Sequence, residues 1–238
     1  AKLDGLDKLN GAESYGADAI PEDALWLRVV RSPHAFARFT LGDMAAFVAA
    51  HAGLTCVLTA ADAPENRYAI MPGRKDQPVL AEGLVRLRGE GVIALVGERA
   101  TVEAIRDAEV PITYEPFKAM LDIASATAPG AFQLHDARPG NILAEGRVKK
   151  GDVGTSFKAC AAIAEGTFET AYVEHAYIEP EAGWARRIGD RMEVHVSTQT
   201  PVMDRDEVAG VLKLAKENVR IIPTACGGGF GGKLDLSV

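Results

Sequence analysis

The sequence holds only three cysteines, Cys56, Cys160 and Cys226, far apart and without C-x-x-C spacing. Neither a disulfide framework nor a cysteine zinc site can be read from them, and a reducing, cytoplasmic compartment is expected. Positive charge is also short, with 26 Lys and Arg against 33 Asp and Glu and a formal net charge of −7. With no Lys/Arg cluster interleaved with aromatics, a nucleic-acid surface is not expected. No apolar run is long enough to span a bilayer, and no basic-then-apolar leader opens the chain, so no membrane partner is expected either. No internal repeat or low-complexity tract points to an array.

What the sequence does have is apolar residues, 47% of 238, enough to bury one large or two modest cores. It also has the run Gly227-Gly228-Gly229-Phe230-Gly231-Gly232-Lys233. Glycine tolerates positive φ and leaves its amide uncovered, and successive inward amides form a concave array suited to oxo or phosphate oxygens. The run therefore reads as a ligand cradle. It satisfies the front of a phosphate-binding G-x-x-x-x-G-K loop, but Leu234 stands where Ser or Thr would hold Mg²⁺. A nucleotide-binding module is thus an alternative with an incomplete motif.

Strands are expected over residues 24–30, 36–41, 54–59, 91–96 and 110–114, the last at a sheet edge because of Pro111. Asp43 can cap a helix through His51, which Gly53 ends, and residues 101–108 place Val102, Ile105 and Ala108 on one helical face. A Pro/Gly/Asp-rich loop covers 63–77, and Pro129-Gly130, Pro139-Gly140 and Gly146 mark 124–151 as a linker. Beyond it come a short helix at 153–161, strands at 163–170 and 193–198, a helix from Pro201 with Val208, Val211 and Leu212 on one face, and a strand at 219–222 leading into the glycine run.

Taken in order, Arg31-Ser32-Pro33-His34-Ala35, Asp76-Gln77-Pro78-Val79-Leu80-Ala81, Glu174-His175-Ala176-Tyr177-Ile178-Glu179-Pro180, Ser197-Thr198-Gln199 and the glycine run form a series. In this series the chain resembles the molybdenum-binding large subunit of the xanthine dehydrogenase/aldehyde oxidoreductase family, from about Gly11 to Lys233. The resemblance implies an α+β fold: an α/β-hammerhead domain over 1–123, the linker 124–151, and over 152–238 the start of a molybdenum-cofactor domain. It further implies that the chain is a portion of a longer subunit whose remainder carries most pterin contacts and the catalytic base. The implied activity is oxidative hydroxylation of an aldehyde or N-heteroaromatic carbon with water-derived oxygen. Molybdopterin is the implied cofactor, and electrons pass to FAD and [2Fe-2S] centres on partner chains or domains of an oligomer. A non-catalytic assembly or scaffold subunit keeping the fold is the alternative.

The resemblance assigns the site residues. Gln199 is the glutamine whose amide faces an oxygen on molybdenum, and Phe230 lines the substrate approach. Gly228, Gly229, Phe230 and Gly231 carry backbone that meets the cofactor, with the Phe230 and Gly231 amides aimed at its oxygens. No residue ligates the metal directly. Glu174 and His175 are read as structural, because neighbours in an extended segment face opposite ways, and His34 as a turn histidine. Glu179-Pro180-Glu181 is a carboxylate pair in sequence only, and Cys226 a small residue at a strand end. Purine-hydroxylating relatives tend to carry glutamate directly after the loop lysine. Leu234 cannot accept a hydrogen bond there, which turns the expectation away from xanthine.

Overall fold

A computed structural model describes residues 5–69 and 75–234. Of the loop expected over 63–77, residues 70–74 lie outside that range, as does the chain end after Leu234. In chain order the first elements are α1 (Gly5–Asn10), β1 (Trp26–Arg31), β2 (Ala37–Leu41), α2 (Met44–Ala50), β3 (Leu54–Leu58), β4 (Leu84–Val85), β5 (Gly91–Gly97), α3 (Arg99–Ala104) and β6 (Ile112–Pro116). Then follow α4 (Ile123–Thr127), α5 (Val153–Lys158), β7 (Gly183–Ile188), β8 (Arg191–Val196), α6 (Pro201–Leu212) and β9 (Val219–Pro223). Two compact units result: Ala1–Ala119 together with His175–Val238, and Met120–Glu174. The boundary expected within 124–151 falls inside the second unit.

β5 is apolar along its whole length because both its faces are covered, with Val92, Ile93, Ala94 and Leu95 all buried. It pairs antiparallel with β1 on one side and β3 on the other. A second antiparallel sheet has the order β4-β2-β6, so β6 is at an edge, as Pro111 just before it required. Val30, Ala37, Phe39, Val85, Ile93 and Leu95 join the two sheets in one core, closed by Phe47 of α2 and Val102 of α3. Asp43 caps α2 through Ala46 N–H at 2.9 Å.

α3 ends at Ala104, well before the expected residue 108. The reason is tertiary. Arg28 of β1 donates to the carbonyls of Val102 (3.2 Å) and Ile105 (2.7 Å), which satisfies the helix end from outside. Residues Asp107–Glu109 then form a 3₁₀ turn.

The third sheet, β7-β8-β9, is the one that builds the site. β7, which the sequence reading left out, turns into antiparallel β8 through Gly189-Asp190, where Gly189 has φ +59°. β8 and β9 run parallel with α6 as their crossover, and Val196 is level with Pro223. The carboxyl ends of the two parallel strands therefore lie side by side. Segments 197–199 and 226–233 both leave from these ends, the position where open α/β sheets bind ligands. On β8, His195 stacks on Trp184 at 3.7 Å. Burial, with Arg186 adding and Glu193 opposing, holds its imidazole below the usual range.

In the second unit, Asn141 accepts from Leu134 N–H and donates to the carbonyls of Ala126 and Phe132, each at 2.8 Å. α5 forms as a shorter helix than the expected 153–161. The strand expected over 163–170 does not form. Residues 163–170 are exposed and have no paired strand among the described residues, and an isolated β run cannot satisfy its own backbone.

The closeness of β5 to β3 gives a stability test. A Cβ at Gly97 would lie 2.3 Å from the Gly53 carbonyl oxygen and 2.9 Å from Leu54 Cα, both main chain that cannot swing away. Gly97→Ala should cost about 1–3 kcal/mol, as other overpacked sites do. Urea unfolding measures it, and an unchanged midpoint would show that the strands part freely.

Candidate functional site

Each residue of Ser197-Thr198-Gln199 has its own tether. Ser197, fully buried, donates to Glu179 Oε2 at 2.8 Å. Thr198 Oγ1 donates to the buried Asp204 of α6 and accepts from Thr200 N–H at 2.9 Å. Gln199 N–H donates to the Lys233 carbonyl at 2.9 Å, and its Oε1 accepts from Gly231 N–H (3.0 Å) and Lys233 N–H (3.3 Å). With the oxygen occupied in this way, the Gln199 –NH₂ is the end of the amide that has no acceptor among the described residues, and the residue is exposed.

The glycine run has a different logic from the one expected. A Cβ at Gly227 would lie 2.6 Å from Glu179 Cβ, one at Gly229 2.5 Å from Gln199 Oε1, and one at Gly232 2.6 Å from Tyr177 Cε1. These three glycines make room for the chain's own side chains. Gly228 and Gly231 are required by φ of +113° and +97°, and Phe230 takes +53°, an uncommon conformation for a residue with a side chain. The residue is 76% exposed.

The loop amides are mostly used inside the chain. Gly227 N–H goes to Glu179 Oε2 (2.7 Å) and Gly232 N–H to the Gly229 carbonyl (2.7 Å). Gly231 N–H, which the resemblance aims at cofactor oxygens, here donates to Gln199 Oε1. Among the described residues, the amides of Gly228, Gly229 and Phe230 have no acceptor. They are consecutive and precede the Gly231 amide that holds Gln199.

Sequence reasoning missed the centre of the arrangement. Lys233 is completely buried, its Nζ 2.8 Å from Glu179 Oε2, 3.1 Å from Ser197 Oγ and 4.8 Å above the Tyr177 ring. Glu179 Oε1 takes Gly16 N–H at 3.4 Å. Burial alone would raise the Glu179 carboxyl, but Lys233 and the Gly227, Ser197 and Gly16 donors outweigh it and hold it below the ordinary value. Glu181 instead accepts from Tyr177, so Glu179 and Glu181 do not form a carboxylate pair. The signal available was a lysine inside a glycine loop, where only a buried partner would hold it.

The remaining candidates lie as follows. His175 is exposed but within reach of the loop, its Nδ1 3.1 Å from a Cβ placed on Gly232. His34 leans on Tyr114 with ring centres 5.0 Å apart. Cys226, half-buried, points its Sγ at the Gly228 carbonyl, 3.1 Å away. No cluster of metal-ligating side chains occurs among the described residues.

Comparison with known proteins matches residues 10–118 to the aldehyde oxidase and xanthine dehydrogenase a/b hammerhead domain and residues 134–238 to the molybdopterin cofactor-binding domain. The nicotinate dehydrogenase large molybdopterin subunit of Eubacterium barkeri is 35% identical over all of the chain, which spans 55% of that protein. A probable xanthine dehydrogenase subunit from Bacillus subtilis is 30% identical over 99% of the chain, here 31% of the relative's length. Among solved structures, the aldehyde oxidoreductase of Desulfovibrio gigas overlays 98% of the chain with a TM-score of 0.85 at 23% identity, covering 27% of that chain. Quinoline 2-oxidoreductase of Pseudomonas putida 86 does so with 0.83 at 26% identity, covering 30%.

The depressed Glu179 carboxyl makes a pH test. A carboxylate whose native pKa lies below its unfolded value contributes stability above the ordinary 4.5 and loses it as pH falls through the lower native value. At neutral pH, Glu179→Gln should destabilise by about 3–5 kcal/mol, since it leaves a buried ammonium unpaired. Its unfolding midpoint should then fall less steeply than wild type below that pH. Parallel acid profiles for the two proteins would remove Glu179 as the titrating group.

Proposed function

The chain belongs to the molybdopterin-binding subunits of the aldehyde oxidase and xanthine dehydrogenase family, and from this we propose that it forms part of a molybdenum hydroxylase large subunit. In this reading the enzyme oxidatively hydroxylates a hydrophobic aldehyde or an N-heteroaromatic carbon. It works in the cytoplasm and sends electrons to FAD and iron–sulfur partners. The observation that carries it is the Gln199 amide, locked at its oxygen by the Gly231 and Lys233 N–H groups on an exposed residue, while the amides of Gly228, Gly229 and Phe230 have no acceptor among the described residues. A set made only of neutral donors fits an oxo-bearing cofactor, since it stabilises oxygen charge without giving up a proton.

When bound, the molybdenum cofactor supplies the oxygen-transfer and two-electron chemistry. Gln199 would hold a preorganised donor toward the cofactor, and a donor to a group whose charge changes in the reaction would act on turnover more than on affinity. The Phe230 ring, carried outward by its left-handed backbone, offers a flat apolar face for an aromatic substrate to lie against. Leu234 follows with its carbonyl fixed by Thr200 Oγ1 at 2.8 Å, and its side chain has no hydrogen bond to offer. The names of the relatives support the heteroaromatic class, since nicotinate and quinoline are both of that kind.

In the assembled holoenzyme, Gln199→Ala should raise the barrier by about 2–4 kcal/mol, the usual loss for one such donor. The loss should appear in kcat with KM nearly kept, and a raised KM at unchanged kcat would refute the assignment. On substrates, kcat/KM for benzaldehyde or nicotinate should exceed that for xanthine by at least about a hundredfold, because a purine N–H would meet no acceptor at Leu234. A clear preference for xanthine would mean that another residue supplies the acceptor.

A further inference from the structure

Lys233 is an unusual residue to find with no solvent exposure. A buried ammonium costs several kcal/mol of desolvation in general, and it persists only where its partners are well placed. Here the partners have a second connection. Glu179 Oε2 takes the Lys233 ammonium at 2.8 Å and, on the same oxygen, the Gly227 amide at 2.7 Å. One carboxylate oxygen thus grips the first and the last residue of the glycine loop. Ser197 Oγ joins the same oxygen at 2.8 Å and stands 3.1 Å from Lys233 Nζ. Ser197 lies two residues before Gln199, and the Lys233 main chain is bonded to Gln199 at both N–H and C=O.

We infer that Glu179 and Lys233 are positioning residues, a buried clasp that closes the loop across its ends and so fixes the direction of the Gln199 amide. The route is short. The clasp sets the distance between Gly227 and Lys233, and that distance sets the arc of Gly228 to Gly232. The arc places the Gly231 and Lys233 amides that hold Gln199 Oε1. None of the clasp atoms reaches the exposed face, so they act only through the loop. This inference rests on reading Gln199 as the donor toward the cofactor, but its first consequence, an ordered pair of amides, does not.

A merely structural ion pair can be exchanged for apolar residues of similar volume at little cost in stability. A clasp cannot, because the Gly227 amide and Ser197 hydroxyl lose their acceptor. The test is therefore the double variant Glu179→Leu with Lys233→Met in the assembled enzyme, with Ser197→Ala as a milder variant should the double fail to assemble. Hydrogen–deuterium exchange on overlapping peptides covering 227–234 reads the Gly231 and Lys233 amides, and steady-state kinetics follow kcat and KM. The expected result is exchange at least about tenfold faster, the scale of one lost hydrogen bond, with kcat lowered about a hundredfold and KM kept. Ser197→Ala should move both in the same direction by less. Wild-type exchange in a folded variant overturns the inference. Faster exchange with unchanged kcat supports the clasp and overturns the role given to Gln199.

Discussion

Three stretches far apart in sequence meet at one carboxylate oxygen. Glu179 Oε2 accepts from a lysine ammonium, a serine hydroxyl and a glycine amide. The strands alone would bring the ends of β8 and β9 together, since parallel neighbours with a helical crossover must finish at the same edge. They would not decide how the two segments beyond those ends face each other. That choice falls to the ion pair, whose burial is offset by all three donors together.

Strong local order at this point has a reason in the neighbouring exposure. Gln199 and Phe230 stand on an open face, and an exposed side chain on a glycine-rich loop would ordinarily sample many directions. Anchoring the loop by a buried group moves the ordering cost below the surface and leaves Gln199 and Phe230 exposed above it. The Thr198 bond to Asp204 does the same for the turn into α6. Chemistry that needs a donor already in place gains from such an arrangement, because nothing need reorganise as charge develops.

Much of this was legible in the sequence, and the parts that were not share a cause. The β5 run, the Asp43 cap and the edge position after Pro111 are local signals, and the structure carries each of them. α3 stopped early because Arg28, seventy-odd residues upstream, satisfied its carbonyls, which no window on residues 99–108 can show. β7 was missed because its arginines hide the alternation, although Gly189-Asp190 was a hairpin signal. The strand at 163–170 was expected from composition without a partner to pair with. At the site, the Ser-Thr-Gln and glycine segments were found, while Glu179 was set aside because its only visible companion, Glu181, was the wrong one. The true companion is 54 residues away.

The glycines of the loop are best understood as moulds. Gly229 has the shape of the Gln199 side chain pressed into it, Gly227 that of Glu179, and Gly232 that of Tyr177. Each small residue is the negative of one large residue, so the members of a pair are free to change only together. A protein of this fold that shortened the side chain at 199 would lose the steric reason for glycine at 229.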